Sequence, residues 1–241
     1  MGLKGAILGA VANATIRTIA TRGEVQESKP AFTNNTGKVS LPYEFVANSQ
    51  KKCLVMEAGF FDMYSLKEYK GKKKLKYQDY DGEYKIFDKN GRLKYLSLKK
   101  RMGLDEEIIG KDIEKNFLFD LDGNVIGRVK EHIVSLNFPI LENDAKTCSV
   151  FFDSDNLCSV RRYYKIGKEH FEINGGRFNI EHTKNKEFII KKGNKNIAKI
   201  IMFRFNFKEK SSRSIVIEYD SMKNETVAIL LAMAIDLVCS Y

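Results

Sequence analysis

The chain has 241 residues, 43% of them apolar and sixteen of them Phe, so it is neither too short nor too polar to bury a sizeable core. Forty-one Lys and Arg against thirty-one Asp and Glu leave a net charge of +10, which points to an anionic partner such as a lipid surface, nucleic acid or an acidic protein. The four cysteines, Cys53, Cys148, Cys158 and Cys239, form no CxxC pair, and the ten-residue spacing of Cys148 and Cys158 fits no zinc pattern. Free thiols in a reducing compartment are favoured over an oxidised 148–158 pair.

Gly5 to Ile16 is uncharged, but its twelve residues hold too little Leu, Ile, Val and Phe for a signal-peptide core, and Arg17 soon interrupts. Ala6 stands where a myristoylation pattern needs Ser or Thr. Residues 1–23 are therefore expected as a short, weakly amphipathic helix packed on the domain or a partner, with a peripheral membrane anchor as the alternative. Residues 24–38 are polar, with Pro30 and an Asn-Asn-Thr-Gly turn, and read as a linker.

From Val39 onward the pattern is strand-like almost throughout. Tyr84–Leu98, Phe117–Val129, Phe171–Ile180 and Phe188–Ile201 each pair an aromatic-led strand with an aliphatic one across Asn-Gly, Asp-Gly, Gly-Gly or Gly-Asn. Those dipeptides supply the positive φ angles of tight hairpins, so at least four hairpins are expected. The Asp-x-x-Gly of two of them lacks the further acidic residues of a calcium loop and reads as turn chemistry. Met102–Asn116 is expected to hold a helical turn, and Leu141–Lys146 a polar connection. Ile200–Lys208 alternates Phe203, Phe205 and Phe207 with Arg204, Asn206 and Lys208, and Ser214–Tyr219 puts Ile215, Ile217 and Tyr219 on one face.

The last stretch, Thr226–Cys239, is apolar at twelve of fourteen positions, Thr226 and Asp236 excepted. A helix that is dry on every face is buried or spans a membrane, and spanning takes roughly 20 apolar residues. A wrapped helix over residues 222–240 is the expectation. Ser221 or Asn224 would cap it, and Glu225 would lie in its first turn, where the dipole favours a carboxylate. Asp236 is expected near a mouth, solvated or paired with a basic side chain.

No GxSxG, phosphate loop or GxGxxG occurs, and His132, His170 and His182 stand at no metal-ligand spacing from one another or from a Cys. The chain thus reads as a non-enzyme without metal or cofactor. Its charge is concentrated: thirteen Lys and Arg against five Asp and Glu lie between Lys67 and Arg101. Lys70, Lys72, Lys73, Lys74 and Lys76 form one cluster, and Lys99, Lys100 and Arg101 another. They flank the Tyr84–Leu98 hairpin and could emerge at one end of a barrel. Such a patch attracts anionic headgroups or nucleic-acid phosphates, against the plainer reading of a solvated Lys-rich loop. Lys outnumbers Arg in it, which argues against bidentate recognition.

Successive hairpins closed by one wholly apolar C-terminal helix resemble the tubby-like superfamily, which includes the tubby C-terminal domain, phospholipid scramblases and LURP-one-related proteins. The matching stretches are FDLDGNVIGRVKE at 119–131 and YDSMKNETVAILLAMAIDLV at 219–238. The resemblance covers residues 39–241. It implies a mainly β fold: a closed antiparallel barrel of about twelve strands around a central hydrophobic helix, here preceded by the short N-terminal helix. Closure removes free sheet edges, and a barrel wider than about eight strands needs filling, which an all-apolar helix supplies. Some tubby-like domains bind phosphoinositides through basic residues, and no individual binding residue transfers to this chain. The expectation is a cytoplasmic binding domain, peripheral at the inner membrane face, engaging anionic phospholipid headgroups through the two Lys clusters. A protein-interaction or regulatory module is the alternative, and nucleic-acid binding is less favoured.

Overall fold

The computed structural model describes residues 17–18, 41–58, 63–70, 74–100, 115–132, 146–153, 155–165, 168–183, 186–204 and 213–239. In chain order the elements are β1 (Arg17–Thr18), α1 (Leu41–Asn48), β2 (Lys52–Ala58), β3 (Met63–Lys70), β4 (Lys74–Asp88), β5 (Leu93–Lys100), β6 (Lys115–Asp120) and β7 (Val125–His132). Then come β8 (Lys146–Phe152), β9 (Asp155–Lys165), β10 (Lys168–Asn174), β11 (Phe178–His182), β12 (Glu187–Lys192), β13 (Lys195–Arg204), β14 (Arg213–Tyr219) and α2 (Met222–Cys239).

Twelve strands follow one antiparallel path, β10-β9-β8-β7-β6-β5-β4-β2-β14-β13-β12-β11, which curls into a nearly closed barrel. Its two ends, β10 and β11, lie side by side without a ladder between them. Side chains close this seam. The Phe171 ring stands edge-on to both His182 and Phe188, with centroids 4.8 and 5.0 Å away. Phe171–Ile180 is thus a corner rather than the hairpin its Gly-Gly suggested: Gly175, Gly176 and Arg177 all take positive φ, and each flanking strand pairs with its other neighbour.

The helix α2 fills the barrel. From Ala228 to Val238 every residue is buried, and all but Leu237 are fully so. Its neighbours are β7, β8, β9, β13 and β14. Ser221 immediately precedes it, and its carbonyl accepts from the Asn224 amide at 2.9 Å, as an N-cap residue does. Inward residues of β14 (Ile215, Ile217, Tyr219), of β13 (Ile200, Met202) and of β8 (Cys148, Val150) meet it in one core.

At Gly127 the wall comes close to the helix. A Cβ there would stand 2.7 Å from Leu230 Cδ1 and 2.8 Å from the Phe151 carbonyl. One obstacle is backbone, so it cannot rotate away. Gly127→Ala is expected to cost about 1–3 kcal/mol as overpacking, read as a lower urea midpoint at unchanged slope.

The β4–β5 and β6–β7 hairpins use the same kind of turn. Asp88 Oδ1 accepts from the amides of Asn90 (2.8 Å) and Arg92 (2.9 Å), and Asp120 Oδ1 accepts from the Asn124 amide (2.8 Å). Gly91 and Gly123 supply the positive φ, at 76° and 84°. The aspartates therefore work as turn residues.

A short helix does precede the barrel, but at Leu41–Asn48, where the sequence pattern predicts strand from Val39. Pro42 sits in its first turn, where the missing N–H costs no hydrogen bond. Val46 covers an outward apolar patch of Cys53, Val55, Ile201 and Val216, and Phe45 meets Phe203 at 6.2 Å. Phe203 thus packs outside the barrel while Ile200 and Met202 face in, so both faces of β13 are covered here rather than one being wet. Of residues 1–23 only Arg17 and Thr18 are described, paired as β1 with Ser65 and Tyr64 of β3. The rest of the expected N-terminal helix, the 24–38 linker, the helical turn at 102–114, the connection at 141–145 and Phe205 to Lys208 lie outside the described residues.

Candidate functional site

The strand β4 organises the basic end. Its fifteen residues pair with β3 over 74–81, with β2 over 84–88, and with β5 on the other side over 80–87. The β3–β4 ladder thus extends past the end of β5 as an arm. Lys70 and Lys74 face each other at the tip of this arm, and Lys76 pairs with Glu68. Lys100 pairs with Tyr80 and Lys99 with Asp81. Lys76 is therefore four residues further along β4 than the partner of Lys100, about 13 Å at strand rise. The register brings the described members of both clusters to one end of the barrel. Lys72, Lys73 and Arg101 lie outside the described residues.

Inside that end the barrel turns polar. Asp236 is fully buried, accepts from Tyr84 Oη at 2.8 Å and pairs with Arg213 at 3.2 Å. It has the basic partner expected of it but is not solvated, because Arg213 and Tyr84 take the place of water around it. Burial first, and then the neighbouring Asp236 carboxylate, hold the Tyr84 phenol well above its ordinary pKa. By register Ser97 stands opposite Tyr84, and Ser97 and Asn116 are fully buried. Nearby, Arg162 donates to the Val238 carbonyl at 3.0 Å, a cation at the negative end of the helix dipole, and pairs with Glu169 at 2.6 Å.

The opposite end carries a second buried carboxylate that charge patterning did not reveal. Glu225 is 1% exposed and receives Lys94 Nζ (2.5 Å), Tyr95 Oη (2.7 Å) and Tyr219 Oη (2.5 Å). The ladder explains why neighbours in sequence converge. Ile86 faces Tyr95 while Phe87 faces Leu93, so Lys94 is the extra residue of a β-bulge that re-aims its side chain. Burial pushes the Glu225 carboxyl up, but the bonds from Lys94, Tyr219 and Tyr95 outweigh it and hold it below the ordinary value.

Other features fit no site. A groove of about 550 Å³ lies beside Lys51, Glu187, Lys199 and Glu218, and four of its six charged lining residues pair with one another as Lys51–Glu218 (3.1 Å) and Lys199–Glu187 (3.0 Å). His132 Nε2 lies 2.7 Å from Ser149 Oγ, with burial and then Lys130 lowering its pKa. All four cysteines are buried free thiols, and burial raises Cys53, Cys148 and Cys158, the last to about 12, which makes these three poor nucleophiles. Among the described residues no group of three His, Cys, Asp or Glu could hold a metal, and no helix is long and apolar enough to cross a membrane.

No family model, curated protein or solved structure matches the chain.

Proposed function

We propose that the chain is a non-enzymatic binding domain of tubby-like architecture that engages anionic lipid headgroups with the arm end of its barrel. The observation that carries this reading is the register of β4, which gathers Lys70, Lys74 and Lys76 with Lys99 and Lys100. Each basic residue held near an anionic surface contributes about 1 kcal/mol, less where an acidic residue stands opposite, as Glu68 does to Lys76 and Asp81 to Lys99, so the association is expected to be reversible and salt-sensitive. Lys-rich rather than Arg-rich composition suits a diffuse headgroup field better than a bidentate phosphate clamp. The reading places the protein at a cytoplasmic membrane face.

Sedimentation with vesicles containing phosphatidylserine or phosphoinositide, against neutral phosphatidylcholine, tests it. The protein is expected to pellet with the anionic vesicles at low salt and to be released as salt rises. Charge reversal at Lys72, Lys73 and Lys74 should weaken that binding at least tenfold. Protein left in the supernatant with anionic vesicles at low salt ends the reading.

A further inference from the structure

Away from the arm, the outward face of β7–β8–β9–β10 has a different chemistry. Alternation along the strands fixes which residues point out. Val129, Val150, Val160 and Ile173 are buried in the core, so Arg128, Lys130, Arg161, Tyr163 and His170 face outward. Lys165 and Lys168 pair with each other at the end of the same face and are exposed. Glu172 is the acidic residue among them, and it is engaged by Arg161 at 3.6 Å and by Asn174 at 2.9 Å. Glu131 and Glu169, by the same alternation, belong to the inward side, where Glu169 holds Arg162.

Two of these cations are not loose. The Arg128 guanidinium lies over the Phe151 ring, 4.5 Å from its centroid, and Arg161 lies over Tyr163 at 5.1 Å. Tyr163 is in turn stacked on His170, with centroids 5.3 Å apart and planes 16° from parallel. Arg161 is 42% exposed at the side chain, so the stack remains open to solvent. Aromatic support holds each guanidinium in place over a ring, and Arg both stacks on flat ligands and attracts phosphate. Four strands span about 14 Å, room for two or three extended nucleotides.

We infer that the outward face of β7–β10 binds single-stranded nucleic acid, bases stacking on the Arg128–Phe151 and Arg161–Tyr163–His170 platforms and phosphates meeting Lys130, Lys165 and Lys168. A lipid headgroup layer would use the charge but gain nothing from stacked planes, and it would favour Lys as the arm does. A polyanion with π faces uses both. This surface shares no residue with the arm, so it stands or falls apart from the lipid reading.

Fluorescence anisotropy of the full chain with labelled single-stranded DNA and RNA of about ten nucleotides tests it. Binding is expected to weaken with salt, and R128Q/R161Q should lower affinity at least tenfold with the thermal midpoint retained. R128K/R161K should also weaken it severalfold, because charge stays while the plane is lost. Tighter RNA than DNA binding would show the 2′-hydroxyl in use, and equal binding would confine recognition to base and phosphate; both support the inference. Three results overturn it: no binding of either oligonucleotide at low salt, full binding by R128K/R161K, or loss through charge reversal at Lys72–Lys74 but not through R128Q/R161Q. Loss of anionic-vesicle binding in R128Q/R161Q without any oligonucleotide binding would reassign the face to membranes and overturn it equally.

Discussion

Asp236→Leu should lower the unfolding free energy by about 3 kcal/mol or more, toward the 3–5 kcal/mol typical of breaking a buried charge pair. The carboxylate has no access to water, and its partners come from the two strands that flank β2: Tyr84 from β4 and Arg213 from β14. Leucine would leave the Tyr84 hydroxyl without its acceptor and the guanidinium facing an apolar helix. Because the Arg213 side chain is 27% exposed, it can turn partly to water, which holds the cost to the lower end of that range. Asp236→Asn keeps the shape and an acceptor for Tyr84 while losing the charge, so about 1–2 kcal/mol is expected. Combining D236L with Y84F and R213L should recover most of the loss, since removing every polar partner together leaves none desolvated. Chemical denaturation reads all three; D236L within 1 kcal/mol of the parent would mean the carboxylate is not buried between these partners.

The parts of this fold that were legible in the sequence are those written in short-range chemistry. Asn-Gly and Asp-Gly marked the β4–β5 and β6–β7 turns because positive φ is a local demand. The dryness of Thr226–Cys239 marked α2 because a helix apolar on all sides has few places to go. Ile215, Ile217 and Tyr219 marked the inner face of β14 because alternation survives where one side meets the core. The failures have one common cause, which is a neighbour far away in sequence. Phe203 looks like an inward residue until α1 covers the outside of β13. Glu225 looks like a dipole partner until a bulge at Lys94 brings the ammonium and two phenols to it. Phe171–Ile180 looks like a hairpin, yet at the barrel seam each strand already has a better partner. The same limit applied to function. The Lys clusters are contiguous in sequence and so were visible, whereas Arg128 and Phe151, or Tyr163 and His170, meet only across ladders.

Glu225→Ala is expected to be as costly as the Asp236 change, about 3–5 kcal/mol, because it strands three donors rather than two. Lys94, Tyr95 and Tyr219 tie β5, β14 and the first turn of α2 to a single carboxylate, so losing it loosens the helix entry and two strands together. The cluster also sets how stability varies with pH. The Glu225 pKa is lowered in the folded state, so its contribution is present above the ordinary carboxylate value of about 4.3 and is lost as pH falls through the lower folded value. The phenols behave oppositely. Burial and then the bond to Glu225 raise Tyr95 and Tyr219 above their ordinary 10.0, so their contribution is intact below that pH and declines above it, by up to about 1.4 kcal/mol per unit for each group. Urea midpoints measured across pH should therefore form a plateau with a falling limb at each end. Glu225→Gln should lower the plateau and reduce the acid limb to the share of Asp220, and Y95F/Y219F should reduce both limbs, because the two phenols also hold the Glu225 carboxyl down, leaving the alkaline share of Tyr84 and the buried thiols. An acid limb equally steep in Glu225→Gln and in the parent would place the titrating carboxylate elsewhere and remove Glu225 as the tie between wall and helix.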